Sequence, residues 1–229
     1  MTVEDSDDRL ATTNRLEAFS DGVFAIAITL LVLDITVPAA RQGRLWADLG
    51  QLWPHYGAYA ISFLTIGVMW ANHHNLMHLV GGVDQALVYL TLALLAIVAF
   101  IPFPTAVLAA YLGQAAGEHG TGIAAGGANA QAAIGLYGLT MIALATAFSL
   151  LWLHLRRRPA ILTRHAPLTL VRRELARSAI GTGAYVIATA ISFAVPLVSL
   201  VMYAMLVVIF AVAAARQTAV ATSGPGPLS

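Results

Sequence analysis

The chain has 229 residues, of which 59% are hydrophobic and only 10% charged, and its mean hydropathy is +0.79. A soluble domain carries about 25% charged residues, so most of this surface cannot face water, and the length accommodates roughly six spanning helices of about 20 residues each. A net charge of +1 without a basic, aromatic-interleaved stripe gives nucleic acid no footing, and the absence of cysteine excludes disulfides, thiolate metal sites and cysteine nucleophiles.

The chain opens on Glu4, Asp5, Asp7 and Asp8, where a secretory leader would be positive. The first apolar run is therefore expected to act as an uncleaved first span, from about Leu16 to Val37, stopped by Pro38. Further segments follow at Leu52–Leu76, Leu87–Leu112 (with Pro102 and Pro104 inside or near its end), Ala130–Leu155, Ala176–Ala194 and Leu197–Ala215. The runs are continuously apolar and do not alternate, which implies helices and not a barrel. The fold class is thus an all-α integral membrane protein with six spans, forming one domain over 1–216 and a disordered tail over 217–229. The glycine- and alanine-rich stretch Ala115–Ala128 reads as a flexible connection, and Pro196 alone separates the last two spans, which implies a tight turn.

Arginines set the orientation, since lysine is absent. The connection between the fourth and fifth spans holds seven of them (Arg156, Arg157, Arg158, Arg164, Arg172, Arg173 and Arg177), against Arg41 and Arg44 in the first outer loop. The larger cluster should be cytoplasmic, which places both termini in the cytoplasm.

Two polar islands interrupt this pattern. Arg15, Glu17, Ser20 and Asp21 stand at the cytoplasmic entry of the first span, where an ionisable group costs a few kcal/mol unless paired or wet. The plain alternative is a helix start with Ser20 or Asp21 as the cap. The second island, Trp70-Ala71-Asn72-His73-His74-Asn75-Leu76-Met77-His78, ends the second span at the same depth. Helices joined by a short outer loop can bring the two islands together, so that Ser20, Asp21, Asn72, His73 and His74 satisfy one another and fix the register of the helices. His74 and His78 have the i, i+4 spacing of metal ligands, but no HExxH pattern accompanies them, and a hydrogen-bond network without metal is the expected arrangement. Beyond Asp21 the helix is almost wholly apolar up to Asp34, and a 3.6-residue period aligns Phe19, Val23, Ile26, Leu30, Leu33 and Val37 on one stripe, which by itself is a packing or lipid-facing surface. No arrangement of an enzyme's catalytic groups is present.

Arg15-xxx-Phe19-Ser20-Asp21 followed directly by an apolar helix resembles the RxxxFSD signature of the transmembrane protein 175 family of potassium channels. Trp70-xx-His73-His74 and Ile101-Pro102-Phe103-Pro104-Thr105 look like that family's second and third blocks, so the resemblance spans roughly the first half of the chain. It implies a potassium-permeable channel of the bacterial type: one repeat of six spans per chain, a homotetramer in the bacterial plasma membrane, no cofactor, and potassium as the permeant ion. It also implies a central pore lined by the first helix, with a hydrophobic constriction at Ile26, Leu30 and Leu33 and with Thr29 near the ions. The signature residues Arg15, Phe19, Ser20 and Asp21, with Trp70, Asn72, His73 and His74, would brace the first span against the second. The alternative is a proton-coupled secondary transporter, or a proton leak, that uses His73 and His74 as a relay; transporters usually show inverted repeats and helices broken at mid-membrane. A metal-dependent membrane protein using His73, His74, His78 and Asp21 is a third reading.

Overall fold

The computed structural model describes residues 3–36, 43–117, 128–163 and 166–222. Helices dominate: α1 (Val3–Leu30, prolonged by a 3-10 turn at Leu31–Asp34), α2 (Leu45–Gln51), α3 (Trp53–Met77), α4 (Gln85–Phe100), α5 (Pro102–Gly117), α6 (Ala128–Arg157), α7 (Leu168–Ser192) and α8 (Pro196–Thr222). Among the described residues the only β-pairing is an isolated bridge between Val80 and Leu162.

α1, α3, α4 together with α5, α6, α7 and α8 coincide with the six apolar segments, with altered ends, and α2 precedes the second of them. The first helix starts at Val3, more than ten residues before the expected Leu16, and it gives way to an extended Ile35 after Asp34. Val37 and Pro38, the expected end of that span, lie outside the described residues, as do Arg164 and the connection 118–127. The fifth unit starts at Leu168 and not at Ala176. The last helix runs to Thr222, six residues past Arg216, and residues 223–229 lie outside the described part. Among the described residues three units are long and apolar enough to cross a membrane by themselves, Thr12–Asp34, Gln85–Leu112 and Ala128–Arg157, with a shorter apolar helix at Val198–Val212.

Local chemistry explains the punctuation. Asp84 starts α4 as its cap, its Oδ1 accepting the Leu87 N–H at 2.8 Å. Pro102, which has no N–H, ends α4 at Phe100. Ile101 bridges the break in helical geometry, its N–H donating to Val98 O at 3.1 Å while its carbonyl accepts from Thr105 N–H at 3.2 Å. The result is a kink inside one apolar unit. At the opposite end of the bundle the chain turns from α7 into α8 through N–H donations from Ala194 and Val195 to Ile191 O.

α6 is the centre of the bundle and packs against α4, α5, α7 and α8. Its most apolar window is 61% buried, whereas that of the first helix is only 22% buried. α1 is therefore peripheral. It lies on α3 and α4 and buries Ser20, Phe24, Ala27 and Leu31, one residue per turn on a single face. Buried hydroxyls tie the middle of the bundle: Ser62 of α3 lies 2.8 Å from Thr105 of α5 and 3.2 Å from the Tyr137 hydroxyl of α6. Thr105 belongs to the proline-containing block noted in the sequence, so that block both kinks the helix and supplies an interhelical hydrogen bond. Gly138 allows a close approach, since a Cβ there would collide with the Tyr203 hydroxyl and the side chain of Thr189.

Candidate functional site

Because α1 runs on through the signature residues, Ser20 and Asp21 lie in mid-helix, and the cap reading is wrong. Glu17 and Asp21 are one turn apart on α1 and face Trp70, His74 and His78, which are spaced by one turn each on α3. The Trp70 indole N–H donates to Asp21 Oδ1 at 2.8 Å. The indole stacks on the His74 ring, with centroids 5.7 Å apart and planes at 19°. His74 Nδ1 lies 2.8 Å from Glu17 Oε1, and His74 Nε2 lies 3.0 Å from His78 Nε2. The two islands do meet, as the shared depth suggested.

The expected single network is divided. Ser20 is fully buried, but its hydroxyl donates to Leu16 O within its own helix at 2.8 Å. Asn72 turns the other way, its Oδ1 accepting from the Arg177 guanidinium of α7 at 3.0 Å. Arg177 also pairs with the buried Glu174 at 2.8 Å. His73 is fully buried, its ring 5.7 Å from that of Phe24, and neither ring nitrogen has a hydrogen-bond partner among the described residues. Arg15 and Phe19 stand exposed on α1, outside these contacts. The reason for the division is geometric. Successive residues of α3 point in directions about 100° apart, so Asn72 turns to α7 while His73 and His74 meet α1 at different heights, His73 at Phe24 and His74 at Glu17.

A second clasp closes the same end of the bundle. His154, near the end of α6, places Nε2 2.9 and 3.0 Å from the two carboxylate oxygens of Asp84. The linker after α3 is held to the segment after α6 by Gly81 N–H to Ile161 O at 2.8 Å and Thr163 N–H to Leu79 O at 2.9 Å. Burial pushes the Asp84 carboxyl up, but the Leu87 N–H, His154 and the Arg158 charge outweigh it and hold the group below its ordinary 3.8. Sequence reasoning placed Glu17 in the first polar island and His78 at one-turn spacing from His74, counted Arg177 only for orientation, and passed over Glu174, Asp84 and His154, which carry no local signal.

The face of α1 opposite the buried one carries the expected constriction residues. Ile26 is 61% exposed, Leu30 40% and Leu33 71%. Thr29 is exposed beside them, and its hydroxyl donates to Ile26 O at 2.8 Å, so its oxygen remains an acceptor. The residues expected at the constriction and those that meet α3 thus belong to one helix but occupy different faces.

The bundle thus combines apolar helices long enough to cross a membrane with a first helix held along one face and uncharged along the other. The family model described as endosomal/lysosomal potassium channel TMEM175 matches residues 15–102. A protein of Streptomyces collinus named as a potassium channel is 44% identical over 182 residues, 79% of this chain and 82% of the relative. The crystal structure of a lysosomal potassium-selective channel TMEM175 homolog from Chamaesiphon minutus has a TM-score of 0.74 at 38% identity, and the alignment covers 89% of this chain and 98% of that one. The Bos taurus endosomal/lysosomal proton channel TMEM175 is 44% identical over 97 residues, which is 38% of this chain and 20% of that protein. The chain belongs to the TMEM175 family, a family of ion channels and not of enzymes.

Proposed function

We propose that the chain is a potassium-permeable channel of the bacterial plasma membrane in which four copies assemble around a central pore. All six helical units cross the membrane on this reading, with both termini cytoplasmic, and residues 1–216 form the channel domain. The single observation that carries the pore assignment is the exposed stripe that starts on α1, where Ile26, Leu30 and Leu33 stand uncovered among the small, equally exposed Gly22, Ala25 and Thr29 while Phe24, Ala27 and Leu31 are buried. Rings of these side chains would close a narrow path by dewetting, and a small rotation or dilation of α1 would admit a partly hydrated cation. Thr29 supplies the one hydroxyl beside that path. Potassium is the permeant substrate, and no resident cofactor is required.

Two features support the orientation. The arginine-rich start of α7, the histidines of α3 and the Asp84–His154 clasp gather at one end of the bundle through the contacts of Asn72 with Arg177 and of Asp84 with His154. The same end holds the arginine cluster that the positive-inside rule assigns to the cytoplasm.

Purified protein in liposomes under a potassium gradient tests the proposal. A passive current reversing near the potassium potential, and shifting when sodium replaces external potassium, is the expected result. Flux that requires a second ion gradient would reject a channel. The cattle relative's name brings a second reading, proton passage through the same path. A pH-sensitive dye inside the liposomes separates it, because acidification that persists with potassium absent on both sides would assign the flux to protons.

A further inference from the structure

Glu17, His74 and His78 form a cluster whose potential ligand atoms all lie within 4.8 Å of one another. It joins two helices, with Glu17 on α1 and both histidines on α3. The His74 and His78 Nε2 atoms are 3.0 Å apart, with the rings nearly perpendicular at 81°. Two imidazole nitrogens on a tetrahedral metal at about 2.0–2.1 Å sit roughly 3.3–3.4 Å from each other, so the observed pair needs to open by only a few tenths of an ångström. Glu17 Oε1 lies 2.8 Å from His74 Nδ1 without the alignment of an N–H hydrogen bond, so the carboxylate sets a negative charge beside the histidine pair, which favours a cation there.

We propose that this cluster is a binding site for a borderline divalent cation of the zinc type. His74 Nε2 and His78 Nε2 are the ligands, the Glu17 carboxylate supplies the adjacent negative charge, and water fills the open positions. Two imidazoles in an open geometry favour zinc, copper or nickel over calcium and magnesium, which take oxygen ligands. Without metal one Nε2–H donates to the other ring's Nε2 across the 3.0 Å contact. Metal binding replaces that hydrogen bond, and the donating ring then carries its proton on Nδ1. Glu17 and His74 are half-buried and His78 is exposed, so a cation reaches the site from water and not through the bundle. Since Glu17 belongs to the first helix and both ligands to the second long helix, occupancy reinforces their contact beside the Asp21–Trp70 hydrogen bond. This proposal stands apart from the pore assignment and holds for any activity of the protein.

The test uses the full chain, purified in detergent and stripped with chelator. Zinc chloride titrated by calorimetry should bind at one site per chain and raise the melting temperature, whereas calcium chloride should do neither. His78→Ala, at an exposed position, should weaken zinc binding at least tenfold and abolish the thermal shift. Glu17→Gln, which removes the negative charge beside the pair, should weaken it by roughly tenfold. Unchanged zinc affinity in His78→Ala, or no saturable zinc binding by the unmodified chain, would overturn the proposal. If His74→Ala proves unstable for lack of its stacking on Trp70, the His78 and Glu17 variants still decide the matter.

Discussion

The Asp21–Trp70 contact permits a quantitative test of how α1 is held. Trp70→Phe removes the indole N–H, which donates to Asp21 at 2.8 Å, and retains an aromatic ring to lie on His74. Asp21→Ala removes the acceptor. A hydrogen bond to a charged group contributes about 1.5–3 kcal/mol when solvent is excluded. Trp70 is 41% exposed, so water competes for both partners and the contribution falls to about 1 kcal/mol. Equilibrium unfolding in mixed detergent micelles, followed by circular dichroism because one tryptophan is itself replaced, gives the four corners of a double-mutant cycle. The expected coupling is about 1 kcal/mol, close to a fivefold change in the unfolding constant. Additivity of the two substitutions within about 0.3 kcal/mol would show that the hydrogen bond contributes nothing and that α1 is held by its apolar face alone. The same variants should differ in assembly. Asp21→Ala loosens the end of the helix proposed to line the pore, and less tetramer should be recovered on size exclusion than from the unmodified protein; an undiminished tetramer with altered conductance would move Asp21 from bracing into the ion path.

Three further outcomes follow from the geometry. Gly138→Ala places a methyl group against the Tyr203 hydroxyl and Thr189, whose own hydrogen bond is 2.9 Å, and should cost about 1–3 kcal/mol of stability as overpacking, whereas Gly183→Ala meets nothing within 4 Å and should be neutral or stabilising in the same melting experiment. Ile26→Asn should raise open probability and reduce discrimination between potassium and sodium in single-channel recordings, and unaltered currents would remove Ile26 from the constriction. Asp84 is held below its ordinary 3.8 in the folded protein, so its contribution is present above that value and is lost as pH falls through the lower folded value; the destabilisation caused by Asp84→Asn, measured by thermal melting, should be present near neutrality and vanish in acid, and a pH-independent difference would refute the electrostatic account.

Hydropathy made the six helical units legible because burial in lipid or in protein demands the same apolar runs, and the depth argument correctly brought Asp21 near the end of α3. The boundaries were less legible. α1 extends back to Val3 through acidic and polar residues that do not register as apolar, and α7 extends back to Leu168 through Arg172, Arg173 and Glu174, residues that read as loop by charge yet are tolerated in helices. Partner choice was least legible. Asn72 and Arg177 are 105 positions apart, and Asp84 and His154 are 70 apart; nothing in either neighbourhood announces the other, because their meeting depends on how α6 and α7 stack. His73 shows the same limit from the other side. Its neighbour His74 meets the polar turn of α1 at Glu17, while one residue of helical rotation turns His73 onto the apolar Phe24 of the same helix.

An exposed apolar stripe is ordinary on a membrane helix, so exposure of Ile26, Leu30 and Leu33 does not by itself separate a pore face from a lipid face. The residues between them are more discriminating. Gly22, Ala25 and Thr29 are also exposed on α1, and a Cβ built at Gly22 meets nothing within 4 Å. A purely lipid-facing surface has no need of small side chains, whereas small residues alternating with large ones let helices approach closely without a hydrophobic driving force between them. The charges obey the same division. Glu17 and Asp21 turn toward α3, so the stripe beyond Phe19 carries no formal charge until Asp34. A path lined this way holds a cation by neither a carboxylate ring nor a fixed coordination shell; it admits or refuses by width and wetting. The bracing contacts at the end of α1 then have a clear purpose on the proposed reading, because a gate made of side-chain girth opens with any rotation of the helix that bears it, and the hydrogen bond from Trp70 to Asp21 fixes the angle from which that rotation starts.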